Sequence, residues 1–169
     1  FTEGRSAVAC FGVQTHAVIA GGADPGIVNS IEEYDGTNWT TSPATLGTAR
    51  RYTSGFGSGT AGVIAGGSKP AVANATEEYN SNINAITPAA WASGGNMHTT
   101  RRNMAAAGIT SSGLAIGGFG PPYIAAVEEY NGTSWSNGNN TPVAKENARA
   151  GAGIQTAAFN AGGSGTDNG

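Results

Sequence analysis

The chain has 169 residues, enough for one ordinary domain, and only 11% of them are charged, with a formal net charge of −3. That mild acidity and the scarcity of Lys and Arg argue against a nucleic-acid-binding face, which needs clustered cations. A single cysteine, Cys10, excludes an internal disulfide, and the lack of any run of 18 apolar residues argues against membrane insertion.

The chain opens like the interior of a longer protein, since "FTEGRSAVAC" has neither a starting Met nor the layout of a signal peptide. The overlapping stretch "AVACFGVQTHAVIAGG" has short apolar runs on both sides of a Gly-x-x-Thr turn, which predicts a tight β-hairpin. Cys10, in the first of these strands, is expected to be a small buried side chain. Helix signals are absent, because Gly and β-forming residues dominate every window.

Two more strands are predicted after this hairpin. A loop of about eight residues follows the double Gly, and then come "IEEY", Asp35-Gly36 and Trp39. Asp-Gly between β-forming segments is a strong signal for a hairpin turn. Residues 3–47 therefore predict four short antiparallel strands.

The same pattern recurs along the chain. Sixteen residues before the first Gly of a pair stands Arg5, Arg50 or Arg101, and Glu146 takes that place in the fourth copy. Ten residues after the second Gly of the first three pairs, Glu-Glu-Tyr begins. Several residue types locked at fixed offsets indicate a true repeat. The glycine pairs, at intervals of 45, 51 and 45 residues, are Gly21-Gly22, Gly66-Gly67, Gly117-Gly118 and Gly162-Gly163.

An Arg, a hairpin ending in Gly-Gly, Glu-x-Tyr-Asp/Asn and a Trp, in that order, resemble the kelch repeat over essentially the whole chain. The resemblance implies an all-β fold, a kelch-like β-propeller or an arc of one, with one four-stranded blade per repeat. The bias to Gly, Ala, Asn and Thr, with "YDGTNW" and "YNGTSW", is similar to the kelch-like repeats of marine bacteriophage virion proteins. The repeats, called units 1 to 4 below, are Glu3–Gly47, Thr48–His98, Thr99–Val143 and the beginning of a fourth, Ala144–Gly169.

Unit 4 ends at "GGSGTDNG", before its Glu-Glu-Tyr, so only its first two strands are expected. An open blade edge leaves unpaired backbone groups that invite association. We therefore expect the missing strands to come from a longer natural polypeptide or from another chain. Other copies or further blades that complete the propeller are accordingly expected partners.

Two sets of segments are candidate binding loops. Trp91 lies twelve residues after Tyr79, whereas the spacing is five in units 1 and 3, so the turn between the third and fourth strands of unit 2 is lengthened. The loops after Gly-Gly, on the opposite face, keep their length but not their composition. Binding residues concentrate on loops of this kind. The candidates are Ile83, Asn84 and Ile86 in the lengthened turn, and Asp24, Pro25, Pro121, Pro122 and Tyr123 in the loops.

The paired carboxylates of Glu-Glu-Tyr raise the question of acid–base catalysis. Neighbours on a strand point to opposite faces, so the two carboxylates do not converge as a glycosidase pair must. We expect one Glu of each pair to anchor the fold and the other to be solvated. Arg5, Arg50 and Arg101 are candidates to pair with the inward Glu of the same or the next blade. The repeated anchors are assigned to Glu33, Tyr34, Glu78, Tyr79, Glu129 and Tyr130.

The tryptophans Trp39, Trp91 and Trp135 are interpreted as packing between adjacent blades, because their positions are tied to the repeat. The alternative is that they serve as stacking platforms for sugars. Trp91 is the copy to test, since its turn is remodelled. Tyr123, beside Pro121-Pro122, is the better candidate for an exposed aromatic residue.

Nothing in the sequence predicts a catalytic, metal-binding or cofactor-binding set. His16 and His98 stand at different repeat positions, and no Cys/His cluster has metal-ligand spacing. The stretch "GSGTAG" fits a dinucleotide-binding pattern, but no helix follows it. No Ser or Cys nucleophile has an evident base partner.

The first functional hypothesis is a non-enzymatic, virion-associated protein of a bacteriophage, in a tail fibre or surface appendage. It would be extracellular and would present its loops to a host glycan or surface protein. The alternative is a cellular kelch adaptor that binds a protein partner, for which a charged binding face is expected. A carbohydrate-active kelch enzyme is the third, and it needs a convergent polar set that this stretch does not supply.

Overall fold

The computed structural model describes residues 2–81, 90–146 and 150–165, and these residues form an all-β fold. In these ranges no helix has the length and apolar character needed to cross a membrane. The strands, in chain order, are β1 (Ala9–Val13), β2 (His16–Ala20), β3 (Ala23–Asp24), β4 (Gly26–Ile27), β5 (Ile31–Tyr34), β6 (Trp39–Thr41), β7 (Ser54–Ser58), β8 (Ala61–Ala65), β9 (Ser68–Lys69), β10 (Ala71–Val72), β11 (Thr76–Asn80), β12 (Ala90–Ser93), β13 (Ala105–Ile109), β14 (Ser112–Ile116), β15 (Val127–Tyr130), β16 (Trp135–Asn137), β17 (Lys145–Glu146), β18 (Ala150–Ile154), β19 (Ala157–Ala161) and β20 (Ser164–Gly165).

Each of the first three units forms one four-stranded antiparallel sheet. The strand orders are β1-β2-β5-β6, β7-β8-β11-β12 and β13-β14-β15-β16. Unit 4 contributes the hairpin β18-β19 and the short pair β17-β20. The prediction of an all-β fold built from four-stranded antiparallel sheets is confirmed.

The first strands of the units lie side by side. Strand β1 packs against β7, β7 against β13, and β13 against β18. Together they line one open cavity of about 500 Å³. Sheets that follow one another around a shared cavity, in chain order, are compatible with a propeller-like arrangement.

The Asp-Gly turn forms where the sequence predicts it. The Asp35 carboxylate accepts hydrogen bonds from the Thr37 amide at 2.8 Å and the Asn38 amide at 2.7 Å. This turn needs a short side-chain acceptor at its first position and a residue with positive φ at its second, which Gly36 supplies at 97°. Asn131 Oδ1 accepts the corresponding amides in unit 3.

The double glycine connects each unit to the next. Gly22 has a φ of 105°, and its amide donates to the Arg50 carbonyl of unit 2 at 2.9 Å. A Cβ on Gly22 would meet backbone and side-chain atoms of the segment that precedes β1. Gly67 donates to the Arg101 carbonyl and Gly118 to the Lys145 carbonyl in the same way. The double glycine thus binds each unit to the beginning of the next one.

A second backbone connection between units was not predicted. Ala7, Tyr52 and Asn103 stand at equivalent positions and have φ values of 58°, 59° and 54°. The Tyr52 amide donates to the Ala7 carbonyl at 2.9 Å, and the Asn103 amide donates to the Tyr52 carbonyl at 3.1 Å. None of the three residues is Gly, so composition gave no sign of the left-handed conformation.

The core lies between consecutive sheets. Cys10 lies outside it, because alternation along β1 directs Phe11 into the core and Cys10 towards the cavity. Cys10 is exposed, and the expectation of a buried thiol is wrong. One cluster joins units 1 and 2 through Ala9, Phe11, Val18, Ala20, Ile31, Leu46, Ile64 and Tyr79, and a second joins units 2 and 3 through Phe56, Val63, Ala65, Met97, Met104, Ala106, Ala115, Tyr130 and Trp135. A smaller cluster of Ala105, Leu114 and Ile116 lies within unit 3.

Candidate functional site

Each repeated arginine pairs with the first Glu of its own unit. Arg101 Nη2 lies 2.6 Å from Glu128 Oε1, and both side chains are fully buried. Arg101 Nη1 donates to the Gly117 carbonyl at 3.0 Å and the Ala126 carbonyl at 2.7 Å. The guanidinium thus joins the end of β14 to the start of β15. The same 2.6 Å ion pair forms between Arg5 and Glu32 and between Arg50 and Glu77.

The first Glu also binds the segment that links its unit to the preceding one. Glu128 accepts hydrogen bonds from the His98 amide at 2.7 Å and the Thr99 amide at 3.1 Å. Burial by itself would raise the pKa of Glu128, but these amides and the Arg101 charge outweigh it and hold the pKa below its usual value. The Thr2 hydrogen bonds and Arg5 lower the pKa of Glu32 in the same way against its burial.

The second Glu of a pair binds the tyrosine of the next unit. The Tyr79 hydroxyl donates to Glu33 Oε1 at 2.9 Å, and the Tyr130 hydroxyl donates to Glu78 Oε1. Burial, together with the neighbouring carboxylate, raises the pKa of both phenols. Glu33 and Glu78, which the sequence assigns as anchors, are therefore inter-unit acceptors. The expectation that the other Glu of each pair is solvated is wrong, because Glu32, Glu77 and Glu128 are buried. Glu129 is exposed.

Two of the tryptophans contact the preceding unit. The Trp91 ring lies 6.2 Å from Phe11, and the Trp135 ring lies 6.3 Å from Phe56. Trp135 Nε1 also donates to Thr76 Oγ1 of unit 2 at 3.1 Å. Both indoles therefore fill space between sheets. Trp39 is partly exposed and lies 5.2 Å from the Tyr34 ring of its own unit.

These contacts leave the repeated carboxylates occupied. Five of the six repeated Glu side chains bind an arginine, backbone amides or a tyrosine, and the sixth, Glu129, is exposed. In residues 2–81, 90–146 and 150–165, no three His, Cys, Asp or Glu side chains are grouped as a metal site requires. The arrangement is that of structural anchors.

A different set of side chains forms a partly exposed stack across units 2 and 3. We call Arg51, Tyr52, Arg102, Phe119 and Tyr123 the arginine–aromatic surface. The Arg51 guanidinium lies 5.0 Å from the Tyr52 ring, and Arg102 lies 5.7 Å from Tyr52 and 5.0 Å from Phe119. The Phe119 and Tyr123 rings are 5.8 Å apart. From Arg51 to Phe119, cations and aromatic rings thus alternate within the distance of cation–π attraction, and Tyr123 adds a second ring beside Phe119.

The arginine–aromatic surface lies at the loops that follow Gly-Gly. Arg51 pairs through its backbone with Ser68, and Arg102 with Phe119, one residue after each double Gly. Among the described residues, neither guanidinium has an ion-pair partner. The surface therefore carries positive charge that no described carboxylate neutralises through an ion pair.

The predicted loop residues are only partly brought together. Tyr123 belongs to the arginine–aromatic surface, and the exposed Pro121 and Pro122 flank it. Asp24 and Pro25 are exposed at the tip between β3 and β4 of unit 1. Ile83, Asn84 and Ile86 lie outside the described residues.

Sequence reasoning did not assign Arg51, Tyr52, Arg102 or Phe119 to a site. One signal was present: Arg50-Arg51 and Arg101-Arg102 are the adjacent cation pairs of the sequence. Adjacent residues in an extended chain point to opposite sides. Because Arg50 and Arg101 point into their sheets, the second arginine of each pair points outwards.

A scan against protein-family models found no match, and a search of curated protein sequences found none either.

Proposed function

We propose that the chain is a non-enzymatic recognition module, a kelch-like β-propeller or an arc of one, that binds an acidic glycan through the arginine–aromatic surface. The observation that carries this proposal is the stack of Arg51 and Arg102 on aromatic rings without ion-pair partners in the described ranges. A guanidinium binds a sugar carboxylate through two parallel hydrogen bonds, and an aromatic ring packs against a sugar face.

The position of the surface supports a recognition role. It lies beside loops that keep their length but vary in composition, on a framework that the buried Arg–Glu pairs hold in register. Rigid repeats that carry variable loops suit binding at the surface of a larger assembly. The Gly, Asn and Thr richness and the resemblance to phage kelch-like repeats favour a virion appendage that contacts a host-surface glycan bearing uronic or sialic acids.

A glycan array with matched charge variants tests the proposal. Arg102→Gln and Lys69→Gln remove the same charge, but Lys69 is an exposed side chain outside the stack. We expect Arg102→Gln to weaken binding to carboxylated glycans by about tenfold or more, since a hydrogen bond to a charged group contributes about 1.5–3 kcal/mol. Lys69→Gln should bind like the parent chain, and Tyr123→Ala should weaken binding to a smaller extent.

Thermal melting of each variant separates loss of binding from loss of folding. Binding should also fall as salt is raised, because the attraction is electrostatic. Equal effects of Arg102→Gln and Lys69→Gln would overturn the assignment of the site. An array that stays silent at low salt would overturn the glycan proposal itself.

A further inference from the structure

At one contact between consecutive units, the size of the residue on the first unit limits the size of the residue that faces it on the next unit. Phe11 of unit 1 lies where a Cβ on Gly62 of unit 2 would overlap its ring. Phe56 of unit 2 lies in the same way against Gly113 of unit 3. A large residue on one unit thus requires Gly on the next. At the boundary between units 3 and 4 the equivalent positions hold Ala107 and Ala158.

The cross-strand neighbour changes in step with this residue. Phe11 is opposite Val18, and Phe56 is opposite Val63. In unit 3, Ala107 is opposite the larger Leu114. In unit 4, Ala152 is opposite Phe159, so the aromatic ring has moved from the first strand to the second. Units 3 and 4 therefore present an alanine where units 1 and 2 present a phenylalanine.

Unit 4 exposes the face that, in units 1 to 3, packs against the next unit. Phe159 is 62% exposed, whereas its counterparts Val18 and Val63 are fully buried and Leu114 is 7% exposed. Ala152 is also exposed. Among the described residues, unit 4 thus exposes an aromatic ring at a position that is buried in units 1, 2 and 3.

Unit 1 exposes the complementary face. The position that receives the preceding unit is Ala17, opposite Gly12, as Gly62 is opposite Gly57. By the size relationship, Ala17 excludes a phenylalanine and accepts an alanine. Of units 1 to 4, only unit 3, with Ala107, and unit 4, with Ala152, have alanine at the position of Phe11 and Phe56. The Ala107 face of unit 3 is already in contact with unit 4, so the Ala152 face of unit 4 is the one that remains.

The neighbouring turn supports the same match. Gln155 of unit 4 donates to the Gly113 carbonyl at 3.2 Å and the Tyr130 carbonyl at 3.1 Å of unit 3. Units 2 and 3 have Gly59 and Thr110 at this position, but unit 1 has the exposed Gln14. Unit 4 contacts the Ala107 face of unit 3 with a glutamine, Gln155, and an alanine, Ala158. Unit 1 has the same two residue types at the equivalent positions, Gln14 and Ala17.

We propose that the chain self-associates head to tail, with the Ala152–Phe159 face of unit 4 in one copy covering the Gln14–Ala17 face of unit 1 in a second copy. This continues the interface that joins units 1 to 4 within the chain. Ala152 then lies against Ala17, and the Gln14 amide lies beside the Ala158 carbonyl, which corresponds to the Gly113 carbonyl that Gln155 binds.

Sedimentation velocity on the 169-residue chain tests this with a size exchange. The parent chain should form dimers or larger rings. Ala152→Phe should weaken association by about tenfold or more, because a ring cannot fit against Ala17. The double variant Ala152→Phe/Ala17→Gly restores the Phe–Gly pairing seen within the chain, and it should restore association.

A mixture of the single variants Ala152→Phe and Ala17→Gly provides the control. The ring introduced at position 152 of one chain then meets the glycine introduced at position 17 of the other, so the mixture should associate although Ala152→Phe alone does not. Both sites are at least partly exposed within a chain, so thermal melting should show each variant folded. A parent chain that stays monomeric at all concentrations overturns the proposal. So does an Ala152→Phe defect that Ala17→Gly fails to repair.

Discussion

The Tyr79 hydroxyl donates a 2.9 Å hydrogen bond to Glu33 of the preceding sheet, 46 residues away in sequence. Tyr130 makes the same contact with Glu78. The tripeptide Glu-Glu-Tyr therefore has three structural roles: its first Glu binds the arginine of its own unit, its second Glu accepts from the next unit, and its Tyr donates to the previous one. The paired carboxylates, whose residue type suggests acid–base catalysis, join neighbouring strands and neighbouring repeats.

Replacing Tyr79 with Phe tests how much this contact contributes. The Tyr79 side chain is buried, and its hydroxyl is the donor to a carboxylate. We expect Tyr79→Phe to lower the free energy of unfolding by about 1–2 kcal/mol in urea denaturation. Tyr34→Phe is the matched control, because the Tyr34 hydroxyl donates to no carboxylate in the described part of the chain. A loss at Tyr34 equal to that at Tyr79 would contradict the inter-unit role.

The strands and turns could be predicted from the sequence because their causes are local. Asp35-Gly36 is a turn signal carried by its own two residues, and Glu-Glu-Tyr recurs ten residues after each of the first three double glycines. The arginine–aromatic surface could not be predicted. Tyr52 and Phe119 come together only because unit 2 packs on unit 3 and Arg102 lies between their rings. Repeat spacing places residues within a unit, but it does not say which side chains meet between units.

Arg101→Met should destabilise the protein strongly. The substitution leaves the buried Glu128 without its cation and removes donors to the Gly117 and Ala126 carbonyls. Breaking a buried ion pair from one side costs about 3–5 kcal/mol. Chemical denaturation monitored by tryptophan fluorescence would measure the loss.

The double variant Arg101→Met/Glu128→Leu distinguishes this pair from a simple buried ion pair. Apolar replacement of both partners is often neutral or stabilising elsewhere. Here it leaves the His98 and Thr99 amides without their Glu128 acceptor. We therefore expect the double variant to remain destabilised by at least about 2 kcal/mol. Stability equal to that of the parent chain would show that those backbone hydrogen bonds contribute little.

The lowered pKa values of Glu32 and Glu128 predict loss of stability in acid. A carboxyl group whose pKa is lower in the folded state stabilises the fold fully above its ordinary pKa, about 4.3 for Glu. That contribution is lost as the pH falls through the folded-state value. Urea midpoints measured from pH 7 downwards should stay level to about pH 5 and then decrease. In Glu128→Gln the midpoint should start lower and decrease less steeply, and an unchanged slope would contradict the assignment to Glu128.

The size relationship between units can be tested inside one chain with Gly62→Ala and Phe11→Ala. A Cβ at Gly62 overlaps the Phe11 ring, so Gly62→Ala should destabilise by about 1–3 kcal/mol. Phe11→Ala removes a buried ring and should destabilise by about 3–5 kcal/mol. The double variant recreates the Ala107–Ala158 arrangement of units 3 and 4. The double variant should lower the free energy of unfolding by less than the sum of the two single losses, with a difference of at least about 1 kcal/mol.

Gly113→Ala combined with Phe11→Ala is the control for this cycle. Gly113 packs against Phe56 and not against Phe11, so its substitution should destabilise by a similar amount whether or not Phe11 is present. The two losses should therefore add. Additivity at Gly62 as well would mean that the ring of Phe11 moves aside. Ala17 could then also accept a phenylalanine from a neighbouring unit, and the size argument for pairing Ala17 with Ala152 would fail.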